Sequence, residues 1–99
     1  MQVIPEIQII EEIDTELEAL YRIIIHNDTI TPMDFVVHIL TSVFFLGTPT
    51  AMDIMLKAHI TGTAYVQTVS KSQAQKRINK AHAEANAAGY PLRFSMEPE

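Results

Sequence analysis

The stretch that decides the fold runs from Ala19 to Val37, ALYRIIIHNDTITPMDFVV. Residues 19–26 (ALYRIIIH) are rich in β-branched and aromatic types and read as a strand. Asn27 and Asp28 follow, two residues that favour turns because their short polar side chains bond to nearby backbone. Thr31-Pro32 then opens a helix, with Thr31 as N-cap, Pro32 at the first helical position and Asp34 at the capping-box position. An amide and an acid therefore sit where a strand hands over to a helix. There they either close a turn or face a ligand.

Downstream the punctuation repeats. The first helix is expected to reach about Phe45, with Leu46-Gly47 as its stop. Thr48-Pro49 starts a second helix carrying Met52, Met55, Leu56 and His59 at helical spacing, and Gly62 ends it. Residues 63–69 (TAYVQTV) read as a strand. Ser70 and Gln73 form a capping box for a third helix, whose Ala74, Ile78, Ala81, Ala85 and Ala88 make a narrow apolar stripe. Gly89 stops it, and Tyr90–Met96 (YPLRFSM) supplies the last strand. The order β-α-α-β-α-β predicts an α+β domain over residues 19–99, a three-stranded antiparallel sheet with three helices packed on it. Residues 1–18, which mix Ile and Val with acids and keep no clean period, are expected to form a mobile, extended N-terminal arm.

Composition narrows the function classes. The 99 residues, 47% hydrophobic and 19% charged, suit one globular domain with a modest core. No apolar run reaches the ~18 residues of a membrane span, and the start lacks a basic block followed by an apolar one, so no cleaved secretion signal is expected. With no cysteine there is no disulfide, thiol nucleophile or thiolate zinc site. Six of the twelve acids precede the first base, Arg22, which argues against nucleic-acid binding by that segment. Lys71, Lys76, Arg77 and Lys80 on the last helix read as a solvated face, and the small, nearly neutral core predicts a monomer.

Catalytic signals are weak. His26, His38, His59 and His82 lie 12, 21 and 23 residues apart, with no pair placed for metal ligation on one helix, so no metal and no cofactor are expected. There is no nucleophile elbow and no Gly-rich phosphate loop. A small enzyme using His59 with Asp28 lacks any accompanying nucleophile or oxyanion arrangement, and the chain is read as non-enzymatic. Taken singly, Asn27-Asp28 make a turn, His59 sits near a helix end, and Met33, Met52 and Met55 fill a core. Taken together they suggest more. Met55, Ala58 and His59 share a helix face, which would put the imidazole at the lip of an apolar patch, with Met33 and Val36 opposite. An apolar pocket with acceptors at its mouth suits a ligand with a positive end and a hydrophobic body.

These residues carry a family resemblance. Asn27-Asp28, Thr31-Pro32-Met33-x-Phe35-Val36-Val37, Ile54-Met55-Leu56-x-x-His59-x-x-Gly62, Pro91-Leu92 and Ser95-Met96-Glu97 together resemble ClpS, the adaptor of the bacterial and plastid Clp protease, over about residues 20–97. The resemblance implies an adaptor of the cytoplasm or plastid stroma. It would bind proteins through a bulky hydrophobic N-terminal residue (Leu, Phe, Tyr or Trp) and deliver them to an Hsp100 unfoldase of the ClpA or ClpC type. It also implies that Asn27, Asp28 and His59, with Thr29 beside them, receive the α-amino group. Thr31, Met33, Val36, Met55, Ala58 and Leu92 would line the side-chain pocket, with Met33 as its gate. Ser72, Gln75 and Arg77 would meet the unfoldase, which would engage the N-terminal arm during hand-off. Thr29 replaces a second acid usual in the family, Ala58 a larger apolar residue, and Ser72 and Gln75 acids. These departures suggest a divergent paralogue with narrowed residue preference. The alternative is an interaction module that kept the fold without the pocket and modulates or inhibits the unfoldase.

Overall fold

The computed structural model describes residues 18–99. The expectation of a mobile arm falls on residues outside that range, apart from Glu18. The elements are β1 (Leu20–His26), α1 (Met33–Ser42), α2 (Thr48–Thr61), β2 (Thr63–Ser70), α3 (Lys71–Ala88) and β3 (Arg93–Pro98), the β-α-α-β-α-β order read from the sequence. β1 is the central strand of an antiparallel sheet ordered β2-β1-β3.

The alternation of β1 decides which face is covered. Ile23 and Ile25 are fully buried, whereas Arg22 is exposed and Ile24 and His26 are half-buried. The helices cover the Ile23–Ile25 side. Val36, Ile39 and Leu40 come from α1, Ala51, Met55 and Ala58 from α2, and Ala74, Ile78, Ala81 and Ala85 from α3. The four small or medium residues of the α3 stripe let that helix lie close to the sheet, while Ala88, at the end of the expected stripe, is exposed. Phe44 and Phe94 close the core with ring centroids 4.8 Å apart. Each fully buried Ile, Leu or Phe contributes roughly 1.5–3 kcal/mol.

β2 carries an irregularity. Ile23 pairs with Gln67 and Ile24 with Tyr65, which leaves Val66 as the extra residue of a bulge. The bulge turns Gln67 toward the helices. Its Nε2 donates to the Phe44 carbonyl (3.1 Å) and its Oε1 accepts from Arg77 Nη1 (2.8 Å).

Several helix ends follow the local chemistry and others depart from it. Gly62 and Gly89 close α2 and α3 in the left-handed conformation, at φ 96° and 82°. The Ser70 hydroxyl caps α3 by accepting from the Gln73 N–H. Thr31 does not cap α1. Pro32 occupies the N-cap position in extended geometry without a side-chain cap bond, because the Thr31 hydroxyl is committed to donating to Asp28 Oδ2 (2.8 Å). Likewise Gly47, not Thr48, is the N-cap of α2. α1 stops at Ser42, three residues before the expected end, where the hydroxyls of Thr41 and Ser42 both donate to the His38 carbonyl. Phe45 then takes φ 60°, a left-handed conformation, just ahead of the Leu46-Gly47 stop read from the sequence. β3 begins at Arg93, because Tyr90 packs edge-to-face against Phe35 (4.9 Å) and Leu92 turns into a cavity before the strand starts.

Candidate functional site

The β1–α1 junction is organised by one carboxylate. Asp28 Oδ1 accepts the backbone N–H groups of Ile30 (2.8 Å) and Thr31 (2.6 Å), and Oδ2 accepts the Thr31 hydroxyl (2.8 Å). The turn is pinned to the end of α2 as well, since the Asn27 N–H donates to the Gly62 carbonyl (2.9 Å). A carboxylate has about four acceptor sites, so one site on Oδ2 is left after these three bonds. Partial burial pushes the Asp28 carboxyl upward. The hydrogen bonds from Thr31 and Ile30 outweigh that push and hold its pKa below the ordinary carboxylate value, so the group is anionic near neutral pH.

Around this turn lies a cavity of about 340 Å³ at the meeting of the β1–α1 junction, α1, the last two turns of α2 and the segment before β3. Its depth is apolar. Val36, Met55, Ala58 and Leu92 are all buried. Its mouth is mixed and open. Asn27, Thr29 and His59 are exposed there, alongside the exposed side chains of Ile30 and Met33. Neither the Asn27 amide group nor the His59 imidazole makes a hydrogen bond to another described residue, so both remain available to a ligand. Every residue expected from the sequence to receive an amine or line a pocket borders this one cavity: Asn27, Asp28, Thr29, Thr31, Met33, Val36, Met55, Ala58, His59 and Leu92.

Four lining residues escaped sequence reading: Ile25, His26, Ile30 and Pro32. Their position beside Asn27-Asp28 was the available signal. His26 Nε2 lies 2.6 Å from the Ser95 hydroxyl, and burial together with the positive charge of Arg93 holds its pKa below the usual histidine value. Among the described residues no cluster of His, Asp and Glu is arranged to hold a metal, and no helix is long and apolar enough to cross a membrane.

The three residues expected at a partner surface lie on α3, but not on one side of it. At 100° per residue, Ser72 and Gln75 point within a quarter-turn of each other, whereas Arg77 points nearly opposite Gln75. Arg77 is half-buried, bonded to Gln67 and stacked over the Phe45 ring at 5.1 Å, which makes it a brace of the β2–α3 packing.

Similarity to known proteins follows the same residues. Residues 16–95 match the family described as "ATP-dependent Clp protease adaptor protein ClpS". The chain is 39% identical over 85 residues to the ATP-dependent Clp protease adapter protein ClpS of Desulfatibacillum aliphaticivorans, covering 86% of this chain and 82% of that protein. It is 40% identical over 85 residues to ClpS 2 of Mesorhizobium japonicum, covering 86% and 84%. Among solved structures it is similar to Agrobacterium tumefaciens ClpS2 bound to L-phenylalaninamide, with a TM-score of 0.79, 34% identity, and coverage of 83% of this chain and 99% of that one. These matches define the class, a protease adaptor. The chain belongs to the ClpS family of Clp protease adaptors.

Proposed function

We propose that this protein captures client proteins by a free α-amino group and a bulky hydrophobic first residue of the Leu, Phe, Tyr or Trp class, and presents them to an Hsp100 unfoldase of the ClpA or ClpC type in the cytoplasm. The cavity carries the reading: an apolar interior of about 340 Å³ with Asn27, Asp28 and His59 gathered at its mouth. The ammonium of the first residue donates to the free acceptor site on Asp28 Oδ2, to the Asn27 carboxamide oxygen and to a ring nitrogen of His59. The side chain enters between Val36, Met55, Ala58 and Leu92, with exposed Met33 as the gate. L-phenylalaninamide, the ligand of the related Agrobacterium protein, combines these two features, an α-amine and a benzyl group, which supports the assignment.

Magnitudes fit a capture-and-release role. Hydrogen bonds to a charged group contribute roughly 1.5–3 kcal/mol each, and burying a Leu or Phe side chain contributes about as much again. After the cost of association, the sum corresponds to roughly micromolar affinity. Thr29 supplies a hydroxyl at the mouth and no second carboxylate, which weakens the pull on the ammonium. Ala58 leaves the pocket floor wide, favouring aromatic over aliphatic first residues. The chain does no chemistry of its own, and Ser72 and Gln75 on α3 meet the unfoldase.

The test is fluorescence anisotropy on peptides that differ only in residue one (Leu, Phe, Tyr, Trp and Ala), followed by degradation of a Phe-led reporter by ClpAP or ClpCP with and without the protein. Binding of bulky residues over Ala, with faster reporter loss, supports both halves. Equal binding across the panel refutes the pocket assignment. Selective binding with no effect on degradation refutes delivery alone.

A further inference from the structure

Five methionines carry all the sulfur of this chain, which has no cysteine. The four within the described residues stand in different surroundings. Met55 borders the cavity but is buried, at 8% exposure. Met52 is 47% exposed and does not border it, and Met96 is half-buried on β3, away from the lining. Met33 alone among them combines the two properties, a side chain 45% exposed that is also a wall of the cavity. Met33 is the first residue of α1, and helix side chains lean toward the N-terminal end. That direction is the β1–α1 turn organised by Asp28, so the thioether leans toward the mouth.

Exposure sets reactivity, because an oxidant must reach the sulfur lone pair. Position sets the consequence. A thioether is apolar and adapts to whatever packs on it, whereas its sulfoxide is polar and chiral and accepts hydrogen bonds. A ligand side chain entering the cavity passes Met33 and covers it. The sulfoxide oxygen must then give up water against an apolar group, beside Val36, Met55, Ala58 and Leu92, whose side chains offer it no donor.

We propose that Met33 is a redox modification site, at which reversible oxidation to the sulfoxide by a hydroperoxide turns off capture by the cavity. The Met33 sulfur attacks one peroxide oxygen, so an S–O bond forms as the O–O bond breaks. Sulfur loses two electrons and the peroxide gains them. With hydrogen peroxide, the proton on the transferred oxygen passes to the departing hydroxide and water is released. Methionine sulfoxide reductases, one for each sulfoxide epimer, reverse the step. The inference rests on the reading of the cavity proposed above and adds a control to it.

The test treats the full chain with graded hydrogen peroxide and maps each sulfoxide by mass spectrometry. Affinity is read by anisotropy of a labelled, methionine-free, Phe-led peptide. The expected result is a fall of about tenfold or more that follows Met33 sulfoxide rather than Met52 sulfoxide and is undone by the two reductases. Saturating unlabelled peptide should slow oxidation of Met33 several-fold and leave the rate at Met52 unchanged. Met33→Leu, compared only with its own untreated affinity, should not respond to peroxide, whereas Met52→Leu should respond as the parent does. Complete Met33 oxidation with affinity intact, Met33 staying reduced while Met52 oxidises, equal protection of the two, or a fall that persists in Met33→Leu overturns the proposal. An untreated chain that does not bind the peptide refutes the cavity reading itself, and this inference with it.

Discussion

Asp28 is asked to do two jobs, and they can be separated by comparing Asp28→Asn with Asp28→Ala. In the folded protein its carboxylate holds three bonds, from the Ile30 N–H, the Thr31 N–H and the Thr31 hydroxyl, and has one acceptor site left for a ligand ammonium. Asparagine keeps the oxygen that accepts both N–H groups. The Thr31 hydroxyl can rotate to accept from the new amide, so the turn survives with a loss of about 1 kcal/mol or less. What disappears is the negative charge at the cavity mouth. A hydrogen bond to a charged group contributes roughly 1.5–3 kcal/mol, so affinity for a Phe-led peptide should fall roughly 10- to 100-fold. Alanine also removes the three bonds, at about 1 kcal/mol each for a half-buried turn. Its melting temperature should fall by roughly 12–24 °C, given about 4–8 °C per kcal/mol for a domain of this size. Calorimetric peptide titrations and thermal melts on the two variants measure both quantities. Asp28→Asn binding as the parent does would refute a direct role for the carboxylate. Asp28→Asn melting as low as Asp28→Ala would show that the turn depends on charge rather than on its acceptor geometry.

Acidification should destabilise the fold in two stages. The His82 ring nitrogen Nε2 accepts the Phe94 N–H, which requires that nitrogen to be unprotonated, and burial and the Arg93 charge depress the pKa of the ring. The unfolded chain therefore takes up the proton first, and stability falls as pH drops below the ordinary histidine value of 6.5. His26 shifts in the same direction. Urea midpoints between neutral and mildly acidic pH should show the fall, reduced in His82→Ala. The Asp28 contribution is present above the ordinary carboxylate value of 3.8, is lost as pH falls through its depressed folded value, and should be absent in Asp28→Asn. Gly62→Ala adds a Cβ that meets nothing within 4 Å, so its whole cost is the left-handed backbone, about 1 kcal/mol by chemical denaturation. A loss much above that would mean the Asn27–Gly62 link transmits strain to the β1–α1 turn. Ala58→Val narrows the cavity floor and should weaken binding of Trp- and Tyr-led peptides more than Leu-led ones in a competition assay, whereas a uniform loss would place residue 58 outside the side-chain contact.

What was legible in the sequence was local. Gly62, Gly89 and the Ser70 cap act within one helix turn, so their residues alone announce them, although of the expected Ser70–Gln73 box only the Ser70 bond to the Gln73 N–H forms. The alternation of β1 and the alanine stripe of α3 each encode one buried face, which was enough to order the elements. Thr31 misled because its capping role depends on a competitor three residues upstream, and the Asp28 carboxylate claims its hydroxyl. The early end of α1 was hidden for a similar reason. Phe45 adopts a glycine-like φ of 60°, with Arg77 packed over its ring from a helix that lies far along the chain. Arg77 itself read as a free surface charge because the bulge that turns Gln67 toward it cannot be seen in the residues of β2. The cavity draws on three separated segments, and periodicity does not say that Leu92 meets Met55. Only the combined pattern of Asn27-Asp28, Thr31-Pro32-Met33 and His59 linked them, while Ile30 and His26 stayed unseen beside residues already singled out.

The central claim is that the cavity mouth reads a free α-amine and its depth reads the side chain. The most direct measurement is a calorimetric titration of the unmodified chain with one Phe-led peptide in two forms, free and N-acetylated. Acetylation removes the charge and leaves the benzyl group untouched. The predicted result is roughly micromolar binding of the free peptide and loss of nearly all affinity for the acetylated one. Equal affinities would contradict the claim, because the ammonium would then add nothing to binding at Asn27, Asp28 and His59.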